Sequence, residues 1–265
     1  MEKLNRILAK HYMVFYIAGV VLLMSWYCWS IETLGTGAGI LVLLFCLAAI
    51  PVYAAWLGRR YVILLKKPMQ ILNTECDPEP FLEEVQRQRA YSGPWNMKCM
   101  RIILEASALC IVGRATEAYQ LLGPIQQRIM ESRQFALQLN YCGQMVGTCR
   151  VLERAHEVEV WHAQYMECYH KFKNKRLKAK FDEGLPLYLA QYYVFRREYD
   201  NAMVYIPQLK PKSLYDQVVI AVLCARAYLL VGEKERVKEA LRFAVNKGNK
   251  TYAVQIARQM LAEMD

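Results

Sequence analysis

Charge is nearly absent from one stretch of this 265-residue chain: between His11 and Arg59 the sole charged residue is Glu32. It separates two uncharged runs, Tyr12 to Ile31 (20 residues) and Thr33 to Gly58 (26 residues). A helix needs roughly 20 apolar residues to cross the hydrocarbon core of a bilayer, so both runs are expected to span one. Catalytic signatures are missing as well. No HExxH, GxGxxG or CxxC pattern occurs, and no convergent Ser/His or His/Asp/Glu set stands out. The GTGAG stretch at Gly35 to Gly39 lacks phosphate-loop spacing and reads as a flexible turn. Alternating strand patterns with paired turn residues are also scarce, which leaves an all-α chain.

The nine cysteines include no paired motif, and seven of them scatter through the part that follows the apolar runs. That argues against a disulfide framework or a zinc knuckle and fits a reducing compartment. His156, His162, Cys168 and His170 are spaced six, six and two apart, whereas neighbours on a helix face are three or four apart. No metal, no cofactor and no catalytic role is therefore expected.

Positive charge flanks the apolar runs. Lys3, Arg6 and Lys10 precede the first, and Arg59, Arg60, Lys66 and Lys67 follow the second. Lys and Arg concentrate on the cytoplasmic side of membrane proteins, so both termini are expected there and the Glu32 turn outside. Trp26, Trp29, Tyr12, Tyr16, Tyr53 and Trp56 fall near the ends of the runs, where headgroups favour amphipathic rings. Cleaved signals have shorter apolar cores, and Trp26 and Tyr27 before Cys28 are too bulky for a lipoprotein processing site. An uncleaved hairpin is expected: residues 1–11 cytoplasmic, spans at 12–31 and 37–58, and a turn at 32–36. Gly37, Ala38 and Gly39 permit close helix approach near its end. Residues 59–77 form a basic juxtamembrane linker, and 78–265 a cytoplasmic helical domain.

Asp77-Pro78 is a helix start signal, opening a helix over Pro78 to Ala90. Beyond it, three segments align on Gly113, Arg197 and Gly232. Seven residues before each lies Ala106, Ala190 or Ala225, and four before lies Leu109, Tyr193 or Tyr228. Five after lies Ala118, Ala202 or Val237, and nine after Leu122, Ile206 or Leu241. Small residues where two helices approach, with large ones filling the groove between, describe antiparallel pairs joined by a tight turn. Gly147 is the expected turn of a degenerate pair, followed by one long helix over Val151 to Phe181. A last helix, Lys250 to Met264, has an apolar face suited to cap the stack.

This pattern resembles the tetratricopeptide repeat, with its 34-residue helix–turn–helix units, over roughly residues 96–246. It departs from that repeat in lacking the usual tryptophan and in carrying Arg197 at a turn glycine. In layout the whole chain resembles uncharacterised bacterial inner-membrane proteins with two spans. The resemblance implies a membrane-anchored, non-catalytic adaptor whose α-solenoid binds a protein or peptide, without nucleic acid. The alternative is a structural subunit of a membrane-embedded secretion or envelope assembly; an enzyme of unknown class ranks last. Tyr192, Tyr193, Tyr199 and Tyr228 are candidates to line the partner groove, or to fill inter-helix core. The basic run Lys171, Lys173, Lys175, Arg176, Lys178 and Lys180 is either a solvated helix end or a contact for anionic lipid or an acidic partner. Arg59, Arg60, Lys66 and Lys67 are candidates for the same lipid contact.

Overall fold

A computed structural model describes residues 2–264, without the side chains of residues 2, 3, 34–36, 38, 39 and 65. Most of the turn expected at 32–36, and Ala38 and Gly39 with it, thus lies outside the described side chains. The described residues form helices and no strand. In chain order the α-helices are α1 (Glu2–Lys10), α2 (Tyr12–Glu75), α3 (Pro78–Arg87), α4 (Trp95–Ile111), α5 (Ala115–Leu122), α6 (Gln126–Met130) and α7 (Phe135–Val151). They continue with α8 (Ala155–Lys171), α9 (Lys175–Phe195), α10 (Tyr199–Tyr205), α11 (Leu214–Leu230), α12 (Lys234–Lys247) and α13 (Tyr252–Ala262). Two compact units result, Met1–Lys67 with Arg87–Lys98, and Pro68–Gln86 with Cys99–Asp265.

In the first unit α2 cannot be straight. At 1.5 Å per residue a straight helix would hold Phe15 and Tyr53 about 57 Å apart. Instead the Tyr53 hydroxyl donates to the Phe15 carbonyl at 2.9 Å. Cys46 Sγ meets the Leu23 carbonyl at 3.4 Å, and Trp26 packs edge-on against Phe45. These contacts define an antiparallel hairpin that reverses between Thr33 and Ile40. The legs touch closely at Gly19, where an added Cβ would lie 2.4 Å from the Tyr53 ring. Beside the open end of the hairpin, Leu8, Ala9, Tyr12, Leu57, Tyr61, Leu64 and Tyr91 make a small buried core. Tyr12–Thr33 and Ile40–Glu75 are each long and apolar enough to cross a membrane. Residues 59–67, within the juxtamembrane stretch expected over 59–77, continue the second leg as helix, with Tyr61 and Leu64 buried.

The second unit is built from helix pairs closed by one recurring turn. Gly113 and Gly232 have positive φ, and so do Glu153 and Arg197, at 56° and 61°. The amide after each reaches back five residues: Arg114 to Leu109, Arg154 to Cys149, Glu198 to Tyr193 and Glu233 to Tyr228, at 2.8 to 3.1 Å. This is the six-to-one bond of a Schellman closure, which satisfies a carbonyl orphaned at the helix end. A further bond spans each new first turn: Arg114 to Glu117, Arg154 to Glu157, Asn201 to Glu198 and Arg236 to Glu233. The turns therefore join α4 to α5, α7 to α8, α9 to α10 and α11 to α12.

Two expectations need correcting here. Gly147 is not a turn; it lies inside α7, and the turn comes at Glu153. Counted from Glu153, Val146, Cys149 and Val158 are buried seven before, four before and five after, while His162 stands nine after in place of a large aliphatic residue. The single helix expected over Val151 to Phe181 is broken twice, at that turn and at Phe172 to Asn174. Asn174 caps α9, its side chain accepting the Leu177 amide at 3.1 Å.

Packing follows the pattern. Ala106, Ala190 and Ala225 are fully buried, as are Ala118, Ala202 and Val237. Within the unit α7 packs on α8, α9 on α10 and α11 on α12; α7 also meets α9, α9 meets α11, and α11 meets α13. Val254 and Ala257 of α13 close the last pair by joining the cluster of Val218, Val222, Val237 and Leu241.

Left-handed backbone costs an L-residue roughly 1–2 kcal/mol that glycine avoids, partly offset by glycine's larger unfolded-state entropy. Arg197→Gly is thus expected to stabilise the second unit by about 0.5 kcal/mol, raising its unfolding midpoint by roughly 1–2 °C. Gly113→Ala should lower it. Thermal melts followed by circular dichroism check both, and a destabilised Arg197→Gly would contradict the strain assigned to that turn.

Candidate functional site: a groove along the first helices

Counting from each of the four turn residues, Gly113, Glu153, Arg197 and Gly232, locates a concavity of the second unit. Six positions before the turn lie Ser107, Gly147, Gln191 and Arg226, and three before lie Cys110, Arg150, Val194 and Leu229. Two before lie Ile111, Val151, Phe195 and Leu230. All twelve line one groove of about 940 Å³, extended by Tyr215 of α11 and by Tyr252 and Ile256 of α13. Residues three or four apart share a helix face, so each first helix contributes one stripe to this surface. The core-forming positions, seven and four before the turn, lie at least 100° from those six and two before it, while the position three before borders both faces, and Val194 there also joins the core beside Ala190.

Gly147 opens the floor of the groove, since a Cβ there would meet nothing within 4 Å. Around it runs a polar network. Gln144 donates to Thr148 Oγ1 at 3.2 Å, and Thr148 lies 3.4 Å from Cys110 Sγ. Arg150 donates through Nη1 to Gln191 Oε1 at 2.8 Å, a neutral acceptor. Burial lowers the Arg150 pKa to about 10, and the neighbouring Arg226 lowers it further toward that value. Arg226 is lowered as well, first by burial, although the nearby charges of Tyr252 and Glu153 oppose this. Its side chain is nonetheless exposed. The two observations agree for a group low in a groove, which water reaches while protein displaces most of its surrounding solvent.

Two carboxylates also line the groove. Asp216 caps the start of α11, accepting the Lys212 amide at 3.1 Å, and Glu153 occupies the α7–α8 turn. The Glu153 charge acts on Arg226 and opposes the lowering of its pKa.

The tyrosines singled out from sequence do not line this groove. Tyr193 stacks on Tyr205 and Tyr199 joins the same core, while Tyr228 packs with the α11–α12 cluster under Arg236. The reason is angular. At 100° per residue, the position four before the turn points about 160° away from the one six before it. Tyr192 instead stacks face to face on His162, with ring centroids 3.6 Å apart. Its hydroxyl donates to Glu159 at 2.7 Å, and Arg196 pairs with the same carboxylate at 2.6 Å.

Nothing matches this chain among protein-family models, curated proteins or solved structures.

Thiol chemistry finds little support. The nine cysteines are unpaired, and burial pushes the Cys149 thiol up to about 12, so little reactive thiolate forms near neutral pH. Among the described residues no three His, Cys, Asp or Glu side chains cluster as metal ligands. His162 lies 2.9 Å from the Tyr188 hydroxyl through Nδ1, and burial lowers its pKa below the ordinary value. A histidine that binds protons less readily folded than unfolded stabilises the fold above its unfolded pKa of about 6.5. That contribution is lost as pH falls through this value. The unfolding midpoint should therefore drop between pH 7.5 and 5.5, and His162→Gln should flatten that part of the profile. Identical profiles for both proteins would refute the assignment.

The basic run straddles the α8–α9 connection. Lys171 pairs with Glu167, and Lys178 lies 4.5 Å over the Tyr169 ring. Lys173, Lys175, Arg176 and Lys180 are exposed. Near the hairpin, Arg60 covers the Trp56 ring at 5.5 Å, and Arg59 and Lys66 are exposed, while Lys67 is half-buried.

Proposed function

We propose that this chain is a non-catalytic adaptor, anchored in a bilayer by the α2 hairpin, whose helix pairs form a tetratricopeptide-like solenoid that binds a protein partner. One observation carries the reading: a groove of about 940 Å³ to which each helix pair contributes at matching positions, without a catalytic constellation. Stacked helix pairs commonly use such concave surfaces for recognition. Membrane anchoring is supported by the apolar side chains that coat the hairpin, among them Leu22, Leu41 and Val52, each about 70% exposed. The flanking Lys and Arg favour a bacterial inner membrane with both termini and the repeats in the cytoplasm. Arg59, Arg60, Lys66 and Lys67 would then meet lipid phosphates, and the exposed α8–α9 lysines either those phosphates or an acidic partner. Anchoring would raise the local concentration of the partner near the bilayer.

Mild crosslinking followed by purification from membranes tests the proposal. An adaptor should retain a stoichiometric protein that is lost on deleting residues 99–265. A partner kept after that deletion would favour a structural subunit held through the hairpin. Turnover of a small molecule by the purified protein would sink both.

A further inference from the structure

The adaptor reading leaves open what the groove recognises, and its charge distribution narrows the choice. Arg150 and Arg226 both line the concavity, and among the described residues the Arg150 side chain donates to the neutral amide of Gln191. Of the two carboxylates that line the groove, Asp216 is engaged by the Lys212 amide, and Glu153 acts on Arg226. Arg197 adds a third guanidinium to the lining, which leaves the three lining arginines in excess of the two acids. Like charges lining one partly desolvated groove repel, and a carboxylate brought to them relieves that repulsion while forming charge-assisted hydrogen bonds. Ile111, Val151, Phe195, Val219, Leu230 and Ile256 supply apolar lining, beside the uncharged polar side chains of Ser107, Gln144, Gln191 and Thr251.

We propose that the groove receives an acidic peptide segment of the partner, with an Asp or Glu carboxylate facing Arg150 and Arg226, flanking apolar side chains on the aliphatic lining, and clearance supplied by Gly147. The proposal rests on the adaptor reading and specifies its partner chemistry. Gly147 gives a clean probe. A side chain there enters open space, and glycine is the poorest helix former after proline, so Gly147→Leu should occlude the groove without disturbing the fold.

The full-length protein in detergent micelles would be used to select from a displayed library of random 12-residue peptides. Selected peptides are expected to share an acidic residue flanked by Leu, Ile, Val or Phe. A synthetic peptide of that sequence should bind at least tenfold more weakly to the Arg150→Gln/Arg226→Gln double variant. A similar loss should follow when its own acidic residue becomes the amide, and Gly147→Leu should abolish binding. Circular dichroism melts of each variant separate lost binding from lost folding. Failure to select a peptide, selection of peptides without acidic residues, or binding indifferent to Gly147→Leu overturns the proposal. A membrane partner that still crosslinks to the Gly147→Leu protein would leave the adaptor reading standing and remove only this groove assignment.

Discussion

With Leu22 and Leu44 both replaced by arginine, the protein is expected to leave the membrane fraction that resists alkaline carbonate. These leucines sit near the middle of the two apolar runs, 71% and 58% exposed, so they point away from the contacts that hold the hairpin together. In water such exposure would be costly; in hydrocarbon it is the preferred state. An arginine at the centre of a spanning helix costs about 2.5–3.5 kcal/mol on insertion scales, so the pair costs roughly 5–7 kcal/mol. That is enough to reverse insertion of a two-helix anchor. Leu22→Ala/Leu44→Ala changes size without adding charge and should remain membrane-bound. If the arginine variant is retained like the wild type, the exposed leucines do not face lipid.

The largest effect of a single methyl group is expected at Gly248. A Cβ there would lie 2.4 Å from Val254 Cγ2 and 2.7 Å from both Val218 Cγ1 and the Ala244 carbonyl oxygen. Val218 and Val254 are fully buried, and β-branched side chains have few alternative rotamers. The φ of −99° suits any residue, so the penalty is steric and not conformational. Overpacking a filled core typically costs 1–3 kcal/mol, and the backbone oxygen places Gly248→Ala near the top of that range. A loss of about 3 kcal/mol corresponds to a midpoint lowered by roughly 6–12 °C in a unit of this size. Gly123→Ala is the matched control, because its Cβ meets nothing within 4 Å and its backbone is helical. Equal melting of the two variants would show that α12 and α13 are not packed as described.

The apolar runs were legible because span length and missing charge are properties of composition. Gly113 and Gly232 were legible as turns because glycine is the usual residue at positive φ, and Arg197 followed from its alignment with them. Glu153 carried no such mark. An L-residue held in the left-handed region by surrounding hydrogen bonds looks like any other in the sequence, and Gly147, 34 residues after Gly113, drew the expected turn six residues too early. That shift hid the groove, because only the register anchored at Glu153 aligns Arg150 with Cys110, Val194 and Leu229. The break before α9 had a readable cap in Asn174, obscured by the lysines around it. For the tyrosines the sequence left groove and inter-helix core both open, because aromatic content reports how much surface is buried, not which face of a helix buries it.

The division of labour along each first helix has an evolutionary consequence. The residues seven and four before the turn hold the fold, those six and two before it line the groove, and the position three before serves both, since Val194 lies in the core as well as in the lining. Ser107, Gly147, Gln191 and Arg226 share one structural address but have four different chemistries, while their neighbours Ala106, Val146, Ala190 and Ala225 stay small and apolar. Variation can accumulate at one address without unsettling the next. A point mutation at the position six before a turn would then change the chemistry of the groove's surface with little penalty in folding.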